Sequence, residues 1–236
     1  MRRARSTPPA KMTLMSSEYL ARTSSVRGEV VLRRREDGVV ELRVNGVFVM
    51  DTRETGTEQQ LAGEALGAVD PTRTDVVVLI GGLGLGYTLG RVLEDERVTS
   101  VIVAEIEPGL VAWHRQGLVP SSRLDDARVC VEVGDVRDVV AGLAERSIDV
   151  VALDVDNGPG FLVYDANSAV YQAPFLASCR RALRQHGLVA VWSASSSPAL
   201  TRALVEVYGS CTERRIPVQL AQRTTTYHLF LAAASR

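Results

Sequence analysis

Long apolar runs are missing from this chain of 236 residues, and cysteine is used sparingly. A membrane-spanning helix needs about 20 consecutive apolar residues, and no stretch approaches that length, so we expect no membrane partner. Residues 1–11 are basic and contain proline, but they lack the apolar centre of a secretion signal. The three cysteines, Cys130, Cys179 and Cys211, are scattered without the spacing of a metal site, which predicts idle thiols and no metal. A reduced, cytoplasmic protein is the resulting expectation.

An excess of charge of either sign is also missing. The formal net charge is -1, so no basic field favours nucleic acid or an anionic membrane. Of the three histidines, His114 and His186 are expected at the surface, and nothing near His228 marks it as a base. The hydrophobic content of 46% is enough for one well-buried core. A small molecule is therefore the expected partner.

What the chain does have is a run of glycines directly after an apolar segment. Residues 76–80 are apolar and mostly β-branched, which is typical of a parallel strand buried on both faces. The glycines that follow are Gly81, Gly82, Gly84 and Gly86. They allow a tight turn and a close approach to a ligand, and residues 87–93 then have helical spacing. This unit fits two cofactor families, the nicotinamide or flavin dinucleotides and S-adenosylmethionine (SAM).

A β-rich segment precedes the glycine turn. Asp37-Gly38 and Asn45-Gly46 separate runs rich in valine, which predicts a small antiparallel hairpin region over residues 28–53. Residues 1–27 are expected to be disordered or extended, and a helix is expected over residues 55–66. The remaining residues, 54–236, are expected to form the cofactor-binding core.

Strands and helices alternate after the glycine turn, which predicts a parallel, doubly wound α/β sheet. The predicted strands are 99–104, 128–133, 148–153 and 188–192, and a closing antiparallel pair lies around Val218 and 224–232. The predicted helices are 87–95, 108–115, 136–145, 171–185 with Gly187 as its stop, and 197–208.

Three successive strand ends carry acids: Glu105, Asp135 and Asp154. Ligands of open α/β sheets bind outside these ends, so the three carboxylates are expected around one site. Glu105 follows the glycine turn at the spacing at which a carboxylate accepts hydrogen bonds from ribose hydroxyls. Each acid alone is equally consistent with a cap on the next helix.

The combined motifs resemble the spermidine synthase family, a branch of the class I SAM-dependent transferases with a Rossmann-like fold. They are a β-hairpin prefix, Leu-Ile-Gly-Gly-x-Gly-x-Gly, Ala-Glu-Ile-Glu, Ala-Arg-Val…Gly-Asp and Asp-Val-Val-x-Leu-Asp, over about residues 28–195. The resemblance favours SAM over a dinucleotide and implies that Glu105 binds ribose and Asp135 the adenine amino group. Asp154 matches the aspartate that orients the attacking amine and deprotonates it. The implied cofactor set is Gly81, Gly82, Gly84, Gly86, Glu105, Ile106, Gly134, Asp135, Val136 and Asp154.

Departures from the family pattern bear on the donor. Gly84 stands where the family has an aspartate that binds the ammonium of decarboxylated SAM, and glycine would remove that charge and make room for a carboxylate. The family's second loop acid is replaced by Asn157 or shifted to Asp156, and its tyrosine-containing substrate segment by residues 57–60. The chain therefore resembles a relative of the polyamine-biosynthesis enzymes that uses ordinary SAM.

The candidate catalytic residues share one loop: Asp154, Asp156 and Asn157. A carboxylate there can take the proton of the acceptor, although a solvated acidic loop would look the same. The candidate substrate-pocket residues are Glu58, Gln59, Tyr164 and Tyr171. A solvent-exposed helix face and ordinary tyrosine packing are the competing interpretations, and Trp192 is interpreted as core.

Three functions remain open from the sequence. The leading one is methyl transfer from SAM to a small-molecule acceptor. The second is attack on the side chain of SAM, by aminopropyl or aminocarboxypropyl transfer or by cyclisation, with release of methylthioadenosine. The third is a SAM-binding protein without catalysis. The resemblance also implies that the prefix is able to form a homodimer.

Overall fold

The computed structural model describes residues 17–155, 158–160, 162, 164–220 and 223–234. The chain forms an N-terminal antiparallel sheet followed by an α/β unit. The strands are β1 (Glu18–Ser25), β2 (Gly28–Arg34), β3 (Val40–Val44), β4 (Val47–Asp51), β5 (Val76–Gly81), β6 (Val98–Glu105), β7 (Val129–Val133), β8 (Ile148–Leu153), β9 (Leu183–Ser193), β10 (Thr212–Leu220) and β11 (Arg223–Ala233). The helices are α1 (Gly56–Gly67), α2 (Tyr87–Leu93), α3 (Pro108–Arg115), α4 (Val136–Gly142), α5 (Ala173–Ala182) and α6 (Pro198–Tyr208), with a 3₁₀-helix at Asp165–Tyr171.

The N-terminal sheet has the strand order β1-β2-β3-β4. Its two predicted turns are confirmed: Gly38 has a φ angle of 81°, and Asn45 and Gly46 have φ angles of 51° and 77°. Positive φ at both central residues is typical of the tight turns that match the twist of a hairpin. The sequence did not predict β1, which lies within the segment 1–27. Most β1 side chains are partly or fully exposed, so the strand depends on backbone pairing with β2 and lacks an apolar alternation.

The larger sheet has seven strands in the order β10-β11-β9-β8-β5-β6-β7. The five strands from β9 to β7 are parallel, and β11 and β10 are antiparallel to their neighbours. Helices α1, α2 and α3 contribute to one apolar cluster and α4, α5 and α6 to another. The predicted doubly wound α/β fold with an N-terminal antiparallel extension is therefore confirmed. None of the described helices is both long and apolar enough to traverse a bilayer.

The predicted helix 171–185 is wrong at both ends. A 3₁₀-helix occupies Asp165–Tyr171, and α5 begins beside Pro174, whose fixed φ favours the first turn of a helix. Gly187 does not stop the helix: it lies within β9, where the pairing register with β8 shifts. A Cβ atom at Gly187 would lie 3.0 Å from the carbonyl oxygen of Asp149, so glycine serves a close contact between strands.

The N-terminal sheet shares its core with the α/β unit. Leu32 on β2 is fully buried and belongs to the same apolar cluster as Leu85, Leu110 and Trp113. Since Leu85 lies within the glycine turn and the other two lie on α3, this cluster fixes the N-terminal sheet against the elements that follow β5 and β6.

We predict that Leu32→Ala lowers the free energy of unfolding by about 2–5 kcal/mol, because it leaves a cavity in this shared cluster. Val26→Ala, at a fully exposed position, should change it by less than about 0.5 kcal/mol. Urea denaturation followed by circular dichroism measures both. A small effect of Leu32→Ala would show that the N-terminal sheet is not packed on the α/β unit.

Candidate functional site

The glycine turn after β5 brings its backbone against the end of β8. Gly82 has a φ angle of 92°, in the region that favours glycine. A Cβ atom added at Gly82 would lie 2.3 Å from the carbonyl oxygen of Asp154. The amide of Asp154 in turn donates to the carbonyl of Gly81 at 2.8 Å. Glycine at position 82 is therefore required by the contact between two strand ends.

Gly84 lies against the N-terminal sheet. A Cβ atom there would lie 2.6 Å from the sulfur of Met50 on β4, and the φ angle of 50° would strain a side chain. The amide of Leu85 donates to the same sulfur at 3.1 Å. Residue 84 is glycine, so the loop carries no charge there. The expectation that Gly84 makes room for a carboxylate stays a prediction, and the side chain of Met50 is its neighbour at this point.

A cleft lies along the carboxyl ends of β5, β6, β7 and β8, with an empty volume of about 940 Å³ out to its open mouth. The sequence-predicted residues that line it are Gly82, Gly84, Glu105, Ile106, Gly134, Asp135, Val136, Asp154, Glu58 and Tyr164. An apolar part of its wall comes from the N-terminal sheet, through Val30, Leu42, Val44, Val49 and Met50. The cleft thus combines acids at strand ends with an apolar surface from a separate sheet.

Two predicted substrate-pocket residues lie elsewhere. Gln59 is exposed, and its side-chain amide donates to the hydroxyl of Thr55 at 3.0 Å. Successive residues of a helix point about 100° apart, so Glu58 faces the cleft while Gln59 faces solvent. Tyr171 is buried in the main core, where its hydroxyl donates to the carbonyl of Val155.

Two predicted cofactor glycines also lie outside the cleft lining. Gly81 packs beneath it, where an added Cβ atom would lie 3.0 Å from Cγ2 of Val136. Gly86 is the N-cap of α2, with a φ angle of 86°. Both shape the turn without lining the cleft. The predicted catalytic residues Asp156 and Asn157 lie outside the described residues.

Glu105 ends β6 with 6% of its surface exposed. Its Oε2 atom accepts from the amide of Leu83 at 2.9 Å and its Oε1 atom from the amide of Glu107 at 2.8 Å. Burial raises the pKa of this carboxyl group, and the two amide bonds oppose that rise. Each carboxylate oxygen retains a second lone pair, so Glu105 can brace the loop and also accept a ligand hydroxyl.

Glu107 is an acid of the cleft that the sequence analysis did not assign. It is 4% exposed, and its Oε1 atom accepts from the hydroxyls of Tyr164 at 3.0 Å and Ser25 at 3.3 Å. Burial is the main reason that the pKa of Tyr164 is raised. The signal available in the sequence was the second acid of the Ala-Glu-Ile-Glu motif. The partner Ser25 lies on β1, the strand that the sequence did not predict.

Asp135 fulfils the capping alternative as well as lining the cleft. Its side chain accepts from the amide of Arg137 at 2.9 Å and thereby caps α4. The guanidinium of Arg137 pairs with the same carboxylate at 2.6 Å and holds its pKa below the ordinary range. The carboxylate of Asp135 is therefore ionised, and Arg137 already uses part of its hydrogen-bonding capacity.

Asp154 and Glu58 approach each other beside the glycine turn. The hydroxyl of Thr88, in the first turn of α2, donates to Oδ2 of Asp154 at 2.7 Å and lies 3.4 Å from the carbonyl oxygen of Glu58. Burial, followed by the negative charge of Asp154, raises the pKa of Glu58. Burial likewise raises the pKa of Asp154, and the Thr88 hydrogen bond opposes the rise. The two carboxyl groups therefore lie close enough that the negative charge of one disfavours ionisation of the other.

Buried acids away from the cleft are neutralised by arginine. Asp149, at the opposite end of β8, pairs with Arg73 at 2.8 Å and with Arg184 at 2.7 Å. The other buried acids with arginine partners are Glu41 and Asp51. In contrast, Glu58, Glu105, Glu107 and Asp154 have no cationic partner within 4.0 Å in the described part of the chain. These carboxyl groups of the cleft therefore lack a cation supplied by the described part of the protein.

Trp192 is buried in the core, as the sequence suggested, and it also lines the cleft at the end of β9. Its ring centroid lies 4.9 Å from that of Tyr227, and its Nε1 atom is buried with no hydrogen-bond acceptor among the described residues. An unsatisfied buried donor costs about 1–3 kcal/mol. The indole N–H of Trp192 is such a donor, on a residue that lines the cleft. His114 is buried rather than at the surface, and its Nε2 atom lies 2.8 Å from the Gly84 carbonyl oxygen.

Strand order and cleft position together define a Rossmann-like α/β protein whose ligand site lies at the carboxyl ends of the parallel strands. The family model described as the spermine/spermidine synthase domain matches residues 56–221. The chain belongs to this family of transferases, as the sequence resemblance indicated. No curated protein sequence matches the chain.

Solved structures of spermidine synthases share the fold. The enzyme from Thermotoga maritima superposes with a TM-score of 0.77 at 18% identity, over 92% of this chain and 73% of that one. A spermidine synthase in complex with the transition-state analogue AdoDATO gives a TM-score of 0.80 at 18% identity, over 92% and 74%. A probable spermidine synthase from Corynebacterium glutamicum ATCC 13032 gives 0.68 at 15% identity, over 92% and 80%.

We predict that Gly82→Ala destabilises the fold by a few kcal/mol and distorts the cleft, because the new Cβ atom would collide with the carbonyl of Asp154. Gly90→Ala is the matched control, since Gly90 lies in α2 with open space around it. That change should stabilise the protein by about 0.5–1 kcal/mol. Thermal unfolding of both variants distinguishes the two effects, and equal behaviour would contradict the tight contact at Gly82.

Proposed function

We propose that the protein transfers the methyl group of SAM to a small-molecule acceptor. The observation that carries this proposal is the uncharged position 84, where glycine lies beside the sulfur of Met50. A donor with a carboxylate on its amino-acid tail would meet no repelling charge at that position. The acids at three strand ends support a sulfonium donor of this kind, because the ligand would be positively charged.

The residues present fit the parts of SAM. Glu105 has lone pairs for the ribose hydroxyls, Asp135 is an ionised acceptor for an amino group, and Ile106 and Val136 offer apolar contact to a purine. The close backbone approach at Gly82 leaves the loop without a side chain toward the tail. When bound, SAM would supply an electrophilic methyl group on its sulfonium.

Asp154 is the candidate proton acceptor. It lies at the end of β8 and is held by Thr88, and its raised pKa places it closer to the range of a useful general base. Asp154 would align the nucleophilic atom of the acceptor and hold the proton that this atom loses. Orientation in the cleft would supply most of the remaining rate enhancement.

A second candidate is transfer of the carbon chain of the donor. The four cleft acids without arginine partners favour it, since they would suit a more strongly cationic donor such as decarboxylated SAM. Family membership and the solved relative in complex with AdoDATO favour the same chemistry. In that reaction Asp154 would align an attacking amine.

The nucleoside product decides between the two candidates. We expect S-adenosylhomocysteine when the protein is incubated with SAM and a panel of small amines and phenols, because methyl transfer leaves the carbon chain on sulfur. Chromatography of the quenched reactions measures it. If methylthioadenosine is the product, from SAM or from decarboxylated SAM, the reaction is transfer of the donor's carbon chain and the proposal of methyl transfer is wrong.

We predict that Asp154→Asn lowers kcat by about 100- to 10,000-fold with whichever acceptor turns over, because asparagine cannot take a proton. Affinity for methylthioadenosine, which lacks the amino-acid tail, should stay within severalfold. In the unchanged protein, kcat/KM should fall on the acid side at a pH above the ordinary carboxyl range, because the raised pKa of Asp154 sets the loss of its charge. A variant that retains kcat would exclude Asp154 as the base.

A further inference from the structure

Two of the cleft carboxyl groups that lack a cationic partner, those of Glu58 and Asp154, lie beside the glycine turn. Glu58 is 7% exposed, and its hydrogen-bonded side-chain partner is the neutral hydroxyl of Thr57 at 2.9 Å. Asp154 has the neutral hydroxyl of Thr88. Buried carboxylates are stable when a cation pairs with them, as Arg73 and Arg184 do for Asp149 in the same chain. A cation supplied by the ligand would serve the same purpose here.

The position of Glu58 indicates which ligand group this is. Glu58 lies in the first turn of α1, and Thr88, two residues after Gly86, joins α1 to Asp154. The backbone of Gly82 touches the carbonyl of Asp154. Glu58 and Asp154 thus converge on the glycine turn, where the proposed function locates the amino-acid tail of the donor.

Few other residues near the glycine turn could bind a cationic group of the ligand. Gly84 has no side chain, and the sulfur of Met50 lies beside it. Glu105 lies beside the same turn, but its two carboxylate oxygens already accept from the amides of Leu83 and Glu107. Glu107 in turn accepts from the hydroxyl of Tyr164. The indole N–H of Trp192, a residue that lines the same cleft at the end of β9, is a further buried polar group without a hydrogen-bond acceptor among the described residues.

We propose that Glu58 binds the α-ammonium group of the donor's amino-acid tail, with Asp154 completing an acidic site around it. This assignment rests on the proposed function, since it requires an adenosyl donor with an aminopropyl or aminocarboxypropyl tail. Glu58 is thereby a specificity-determining residue for the tail, while Asp154 remains available to the acceptor. The exposed Gln59, one position later on the same helix, makes no such contact.

Calorimetric titration with three nucleosides tests the assignment. S-adenosylhomocysteine carries ammonium and carboxylate, its decarboxylated form carries only the ammonium, and methylthioadenosine carries neither. Glu58→Gln keeps the size of the side chain and removes its charge. We expect it to weaken the first two ligands by about 10- to 100-fold and to change methylthioadenosine by less than about threefold. Gln59→Ala should bind all three as the unchanged protein does.

The ligand-free stability of Glu58→Gln separates binding from a structural role. Removing an unpaired buried charge should leave the melting temperature unchanged or raise it. Equal weakening of all three nucleosides with a lowered melting temperature, or no weakening of any, would overturn the assignment. If the unchanged protein binds none of the three nucleosides, the proposed function fails with it. If it binds them all and Glu58→Gln changes nothing, only the role of Glu58 fails.

Discussion

The cleft of this structure is defined by carboxyl groups that are held away from water without a cationic partner. Glu58, Glu105 and Glu107 are buried, and Asp154 joins them at the cleft, each with neutral donors only among the described residues. Removing a charge from water costs several kcal/mol even after relaxation. The parallel sheet imposes this arrangement, because it gathers the ends of successive strands along one edge. A cationic ligand is the natural compensation for groups held in this way.

The contrast with the opposite end of the sheet shows that the absence of cations is local. The chain has many arginines, and Asp149 receives two of them at the other end of β8. Asp154 ends the same strand only five positions later and receives none. A single strand therefore carries one acid that arginines neutralise and another that lines the cleft. Arg73 and Arg184 reach Asp149 at one end of β8, and no described arginine lies within 4.0 Å of Asp154 at the other.

The N-terminal sheet contributes to the site as well as to the core. Met50 covers Gly84, Ser25 reaches Glu107, and Val30, Leu42 and Val44 form apolar wall. These contacts cover part of the glycine loop and give the cleft an apolar surface beside its acids. An acceptor that combines an apolar body with a nitrogen able to pair with a carboxylate would match both surfaces.

Sequence alone determined the α/β alternation, the two hairpin turns, the glycine loop and the three strand-end acids, because each follows from local spacing and from the period of the apolar residues. Only the tertiary structure decided which of these residues meet. It separated Glu58 from Gln59, filled the space at Gly84 with Met50, and brought Trp192 to the cleft. Contacts between elements far apart in the chain leave no periodic trace, so the missing arginines beside the cleft acids became visible only once the strand ends were assembled.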